Sequence, residues 1–234
     1  MQDAPELHER YADRVVRVGE LLGQHGASMI SGHCPGIPEL AEEAFKRSRI
    51  SARRQPLIGV RIILRQPDGS IFEETDPNKV DIYIETPLFG ARIEVMEAMA
   101  DGAIFPPGGI GTRLELFLFI QKLQLGHYIG RQIPLVLLGS DHWRPVLTDF
   151  RQMVKDGTLN KKEFYVKVTD DPEEAVELVL GSNGNAARAA RARISGSRII
   201  RAVRIRNSGS RIIRAVRVNA TRALAAGSRI IRAA

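Results

Sequence analysis

Residues 103–119 read AIFPPGGIGTRLELFLF, and the fold turns on this stretch. A short apolar run, Ala103–Phe105, meets two prolines. Glycines follow at 108, 109 and 111, and a helix-forming run opens at Thr112. Glycines let a backbone turn sharply and let a ligand come close to its N–H groups. The helix behind them offers partial positive charge to an anion. The pattern is not a P-loop, which needs Lys before Ser/Thr, nor is it G-x-G-x-x-G. By itself it points to a phosphate or a nucleotide.

Two residues near the loop carry two readings each. Thr112-x-x-Glu115 has capping-box spacing, in which the glutamate reaches back to a backbone N–H. Glu115 is therefore either a cap partner or a catalytic carboxylate. Arg92 opens the run ARIEVMEAM, and is either a solvated arginine in a surface pair or a ligand-holding cation.

Working outward, apolar strand-like runs alternate with amphipathic helices. ASMIS, PLIGVRIIL, VDIYIET, AIF, IPLVLL and EFYVKV read as strands. Helices are expected over ELHERYADRVVRVGELLGQHG, over PGIPELAEEAFKRS, GARIEVMEAMADG and TRLELFLFIQKLQLG, and over HWRPVLTDFRQMVKDG and DPEEAVELVL. Several strands are apolar throughout, as in a parallel sheet covered on both faces. The expected fold is a Rossmann-like, doubly wound α/β sheet. The chain opens on a helix where such folds usually open on a strand, so either the first strand is missing or the start of the chain has been lost.

The chain has 234 residues and a net charge of +7, but the charge is unevenly spread. Residues 181–234 hold 13 arginines, no lysine and no acid. Residues 1–180 hold 21 basic groups against 27 acids, a net of −6. We divide the chain into a nucleotide-binding domain, 1–180, and an arginine-rich tail, 181–234, expected to be mostly disordered or short-helical. The tail repeats GSRIIRA at 196–202, 209–215 and 227–233. On a helix Ile199, Ile200 and Val203 would share one side, though each copy is too short to be a stable helix alone. The repeats suggest a multivalent docking tag for a protein scaffold or compartment shell, or a polyanion-binding segment. Cys34 is the one cysteine, so no internal disulfide forms, and no apolar run of about 18 residues is present. The expected location is cytoplasmic, with recruitment to an assembly through the tail.

Other candidates carry less. Cys34 beside His33 suggests a nucleophile, but adjacent residues rarely face each other as catalysis requires. Histidines 8, 25, 33, 127 and 142 show no metal-ligand spacing. Trp143 reads as core or helix-start packing.

ARIEVMEAMADGAIFPPGGIGTRLELFLFIQKLQLG resembles the LONELY GUY (LOG) family, often labelled lysine decarboxylase-like, whose signature is P-G-G-x-G-T-x-x-E. Pro107, Gly108, Gly109, Gly111, Thr112 and Glu115 match it, and Arg92 stands at the family's interval before Pro107. SGHCPGIPELA resembles the family's upstream glycine loop, and the likeness covers roughly residues 10–180. Departures include Ile93 for lysine, Leu114 for an acid, His33 and Cys34 for glycines, and Pro38 for methionine.

The resemblance implies hydrolysis of the N-glycosidic bond of a purine or cytokinin-type nucleoside 5'-monophosphate, giving free base and ribose 5-phosphate. Glu115 and Arg92 would be catalytic. Gly108, Gly109, Gly111, Thr112 and Gly36 would bind the phosphate. The reaction needs no metal or redox cofactor, and the family implies a homodimer or larger. The alternatives are a non-catalytic nucleotide-binding member, and a polyanion- or nucleic-acid-binding protein acting through its tail.

Overall fold

The computed structural model describes residues 5–63, 66–70, 75–127, 133–160, 166–181 and 230–233. The first two GSRIIRA copies lie outside the described residues. In chain order the elements are α1 (Pro5–Gln24), β1 (Ser28–Ser31), α2 (Ile37–Ser48), β2 (Leu57–Ile62), β3 (Ile82–Thr86) and α3 (Phe89–Met99). There follow β4 (Gly102–Phe105), α4 (Ile110–Gln124), β5 (Leu135–Leu138), α5 (Ser140–Lys155), β6 (Val166–Thr169), α6 (Pro172–Leu180) and β7 (Ile230–Ala233).

One seven-stranded sheet runs in the order β3-β2-β1-β7-β4-β5-β6, and every pairing is parallel. β1, β2, β4 and β5 are buried at every position, which explains their largely apolar sequences; Ser28, Ser31 and Arg61 are the polar exceptions. Alternate residues serve opposite faces. Met29, Leu57, Ile104 and Val136 join α1, α2 and α6 in one core. Ala103, Phe105, Leu135 and Leu137 join α4 and α5 in another, and Ile30, Ile58 and Ile82 meet Met96 of α3. The result is three layers, as the alternation of strands and helices led us to expect.

The place of the expected missing strand is filled from the far end of the sequence. Residues 230–233, counted with the tail, form β7 between β1 and β4. Ile231 aligns with Met29 on one side and Gly102 on the other. Two isoleucines suit an extended segment, and a gap between two buried strands would strand their N–H and C=O groups.

Local signals start the helices. Asp171 accepts from the Glu173 N–H at 2.9 Å and caps α6, with Pro172 in its first turn. Trp143, fully buried on α5, donates from Nε1 to the carbonyls of Phe105 (3.1 Å) and Leu138 (3.2 Å). It ties the ends of β4 and β5 together just below the glycine loop. Trp143→Phe keeps an aromatic ring but removes this donor and part of the buried indole. It should cost about 1–3 kcal/mol in urea unfolding followed by circular dichroism; an unchanged midpoint would show the indole N–H to be idle.

Candidate active site

Strands β1 to β3 step one way from the sheet's centre and β4 to β6 step the other. Such a reversal opens a crevice at the carboxyl ends of the central strands, where α/β proteins hold ligands. Three connections meet there: Gly32–Gly36 after β1, Pro87–Leu88 after β3, and Pro106–Gly109 after β4.

Helix α4 begins earlier than the capping-box reading requires. Gly109 is its N-cap without a side-chain cap, and the first helical bond runs from Arg113 N to Gly109 O at 3.2 Å. Thr112 thus lies within the first turn and Glu115 in the next, so the pair is not a capping box. Thr112 instead folds over Gly108, where an added Cβ would overlap its side chain. The N–H groups of Ile110, Gly111 and Thr112 belong to the turn that has no intrahelical acceptors. Gly109 is exposed while Glu115 is buried at 6%.

Arg92 is no solvated arginine: it is 7% exposed. Its Nη2 donates to the Gly32 carbonyl and to Cys34 Sγ, both at 2.8 Å, and its guanidinium lies 5.7 Å from the Phe89 ring centre. Its Nε is buried and makes no hydrogen bond among the described residues. Glycine at 32 leaves room for the guanidinium, since a Cβ there would overlap it and displace it. Phe89 also reaches α4, 3.6 Å from a Cβ placed on Gly111. Arg92, Phe89 and the first turn of α4 therefore form one continuous edge. Gly36 caps α2 with a positive φ of 92°, in the connection after β1, a strand that β7 separates from β4.

The histidines prove more engaged than their spacing suggested. His142 Nε2 lies 3.1 Å from the carbonyl and 3.3 Å from the N–H of Gly108. Burial pulls its imidazole below the ordinary value; the Gly108 backbone opposes this and the Arg113 charge assists it. A neutral ring thus backs the loop at pH 7. The signal available in the sequence was its place at a helix start directly after a strand.

His33 is buried in a left-handed conformation, φ 49°. Its Nδ1 meets Glu42 at 2.9 Å, its Nε2 meets the Asp76 carbonyl at 3.1 Å, and Glu42 also accepts from Ser31. Both ring nitrogens are thus committed away from Cys34, which removes the Cys–His nucleophile. Of the departures from the LOG pattern, Ile93 is buried and Leu114 exposed. Among the described residues no cluster of His, Cys, Asp and Glu could hold a metal, and no helix is long and apolar enough to cross a membrane.

A doubly wound sheet with a glycine loop, a helix N-terminus and a buried arginine at its reversal point defines the class: an α/β protein with its candidate site at the carboxyl edge of a parallel sheet. The family model described as "Possible lysine decarboxylase" matches residues 43–179, and the chain belongs to that family, as its LOG-type signature led us to expect. A pyrimidine/purine nucleotide 5'-monophosphate nucleosidase of Escherichia coli K12 is 28% identical over 171 residues, covering 68% of this chain. The protein of that name from E. coli O157:H7 matches equally. The chain spans 34% of the length of these relatives. The X-ray structure of TM1055, a structural-genomics target, has the same fold, with a TM-score of 0.52 and 22% identity. That match covers 76% of this chain and 91% of TM1055.

The His33 contacts carry a pH signature. Burial alone would lower its pKa; the Glu42 hydrogen bond and charge, with the Asp76 carbonyl, outweigh this and raise it. The folded state then holds the proton more tightly than the unfolded chain. That stabilisation is whole below about pH 6.5 and is lost as pH rises through the raised value. His33→Asn, which tolerates the left-handed backbone, should be most destabilised relative to wild type near about pH 5.5. The difference should shrink toward high pH; a pH-independent difference would remove the charged pair.

Proposed function

We propose that the chain hydrolyses the N-glycosidic bond of a nucleoside 5'-monophosphate, releasing a purine or cytokinin-type base and ribose 5-phosphate. The observation that carries the reading is the edge formed by buried Arg92, Phe89 and the first turn of α4. The nucleosidase relatives support it.

The 5'-phosphate binds over Gly108, Gly109, Gly111 and Thr112, with Gly36 beside it, through backbone N–H groups and the threonine hydroxyl. Arg92 meets a nucleotide oxygen, which supplies the acceptor that its Nε lacks. As the bond from the ribose C1' to the base nitrogen breaks, positive charge grows on the sugar. Glu115 stabilises that charge and orients the attacking water. The water oxygen bonds to C1', and its proton leaves with the base. His142 and His33 act behind the loops as positioning residues.

Glu115→Gln and Arg92→Ala should each lower base release by about 100-fold or more. Gly32→Ala should resemble Arg92→Ala, because its Cβ evicts the guanidinium. The check is a panel of nucleoside monophosphates assayed for free base and ribose 5-phosphate. A wild-type protein that releases no base from any of them would end the enzyme reading, and binding without turnover would favour the non-catalytic one.

We also propose a homodimer. Ile110, Leu114, Phe117 and Leu125 recur along one side of α4 and are exposed, as is Leu88 at the start of α3. A stripe that begins at the site loop is a surface for a second copy, whose own stripe would meet it across a two-fold axis. Leu114→Glu should shift the mass measured by light scattering toward monomer; an unaltered assembly would place the contact elsewhere. Docking of the tail to a scaffold or shell stands as a further proposal, supported by the two GSRIIRA copies besides the one that supplies β7. Polyanion binding is the competing role, and its mark would be affinity that falls steeply with salt.

A further inference from the structure

The groove between β1 and β4 is built to receive an extended segment. Its walls, Ser28–Ser31 and Gly102–Phe105, are wholly buried, and each turns a row of N–H and C=O groups toward it. Such groups must be paired. β7 pairs them on both sides in parallel register, Ile231 with Met29 and Gly102, and Arg232 with Ile30 and Ala103. A main-chain ladder of this kind recognises extended backbone first and side chains second.

The seated segment, Ile230–Ala233, ends the third copy of GSRIIRA. The same seven residues stand at 196–202 and 209–215. Helix α6, from which the tail departs, delivers the chain to the mouth of the groove. A Cβ on Gly102 would lie 3.2 Å from Val179 Cβ and 3.4 Å from its carbonyl oxygen, and Gly102 is the register partner of Ile231. From Gly181 the IIRA segments begin 18, 31 and 49 residues on. At about 3.3 Å per extended residue even the first copy reaches the groove with chain to spare.

We propose that the β1–β4 groove is a docking site for the IIRA segment of any of the three copies, 199–202, 212–215 or 230–233. The copies are then interchangeable occupants of the sheet's centre. This stands apart from the proposed reaction, since it concerns only the ladder and the repeat.

The test uses the full chain carrying Ile231→Pro, alone and together with Ile200→Pro and Ile213→Pro. Each proline removes a ladder N–H and bars its copy from a central strand. Hydrogen exchange is read over residues 28–31 and 102–105 and over each copy. With Ile231→Pro alone, β1 and β4 should keep their slow exchange, while protection leaves 230–233 and arises at 199–202 or 212–215. With all three prolines, exchange in β1 and β4 should quicken by about 100-fold or more. The pair Ile200→Pro and Ile213→Pro should match wild type. Opening of β1 and β4 by Ile231→Pro alone, or loss of folding in that variant, overturns the proposal by making the third copy unique. Protection that survives all three prolines overturns it as well, since the groove would then not depend on the repeat.

Discussion

A parallel sheet covered by helices on both faces has no water with which to satisfy an open ladder, and the rest of this structure depends on that constraint. β1 leads outward to β2 and β3, and β4 leads outward to β5 and β6. The two halves diverge, so without β7 their buried inner strands would face each other across a gap. β7 closes the sheet and leaves the crevice at its carboxyl edge. Gly32 holds the Arg92 guanidinium only if the end of β1 is in place. The Pro106–Gly109 loop rests on the end of β4, which Trp143 fastens to β5. The candidate site is thus an outgrowth of the sheet's continuity, assembled from segments far apart in sequence.

Beneath the β1–α2 loop lies a polar spine of Ser31, Glu42, His33 and the Asp76 carbonyl. Burying such groups is costly unless each is paired, and these are paired with one another. The spine holds His33 in a left-handed turn and so sets the path of Gly32 and Cys34, the two residues that Arg92 touches. Specific polar contacts below the loop and a glycine where the guanidinium needs room act together on one arginine.

Much of the architecture was legible in the sequence because its signals are local. The apolar runs at 57–62 and 135–138 read as buried strands, and Asp171-Pro172 reads as a helix start. The LOG signature placed the glycine loop after a strand and before a helix. What escaped was non-local. Thr112 and Glu115 have the spacing of a cap, but loop geometry moves the N-cap back to Gly109. Gly32 gains its meaning only from Arg92, sixty positions away. His142 meets Gly108 only because β4 and β5 are neighbours. The hardest element was β7, whose partners lie far upstream and whose sequence occurs three times.

The central place of β7 also bears on the order in which this protein is built. Synthesis runs from the amino end, so β1 to β3 and β4 to β6 emerge with their helices long before residues 230–233 exist. Each half can collapse on its own helices, yet the strands that will lie innermost wait with their edges open until an IIRA segment arrives. Pairing Ile30 with Arg232 spans about 200 residues, the kind of contact that slows folding and lengthens exposure to aggregation. Until its centre is filled the chain is split down the middle, and that is the stage at which it is most exposed to aggregation.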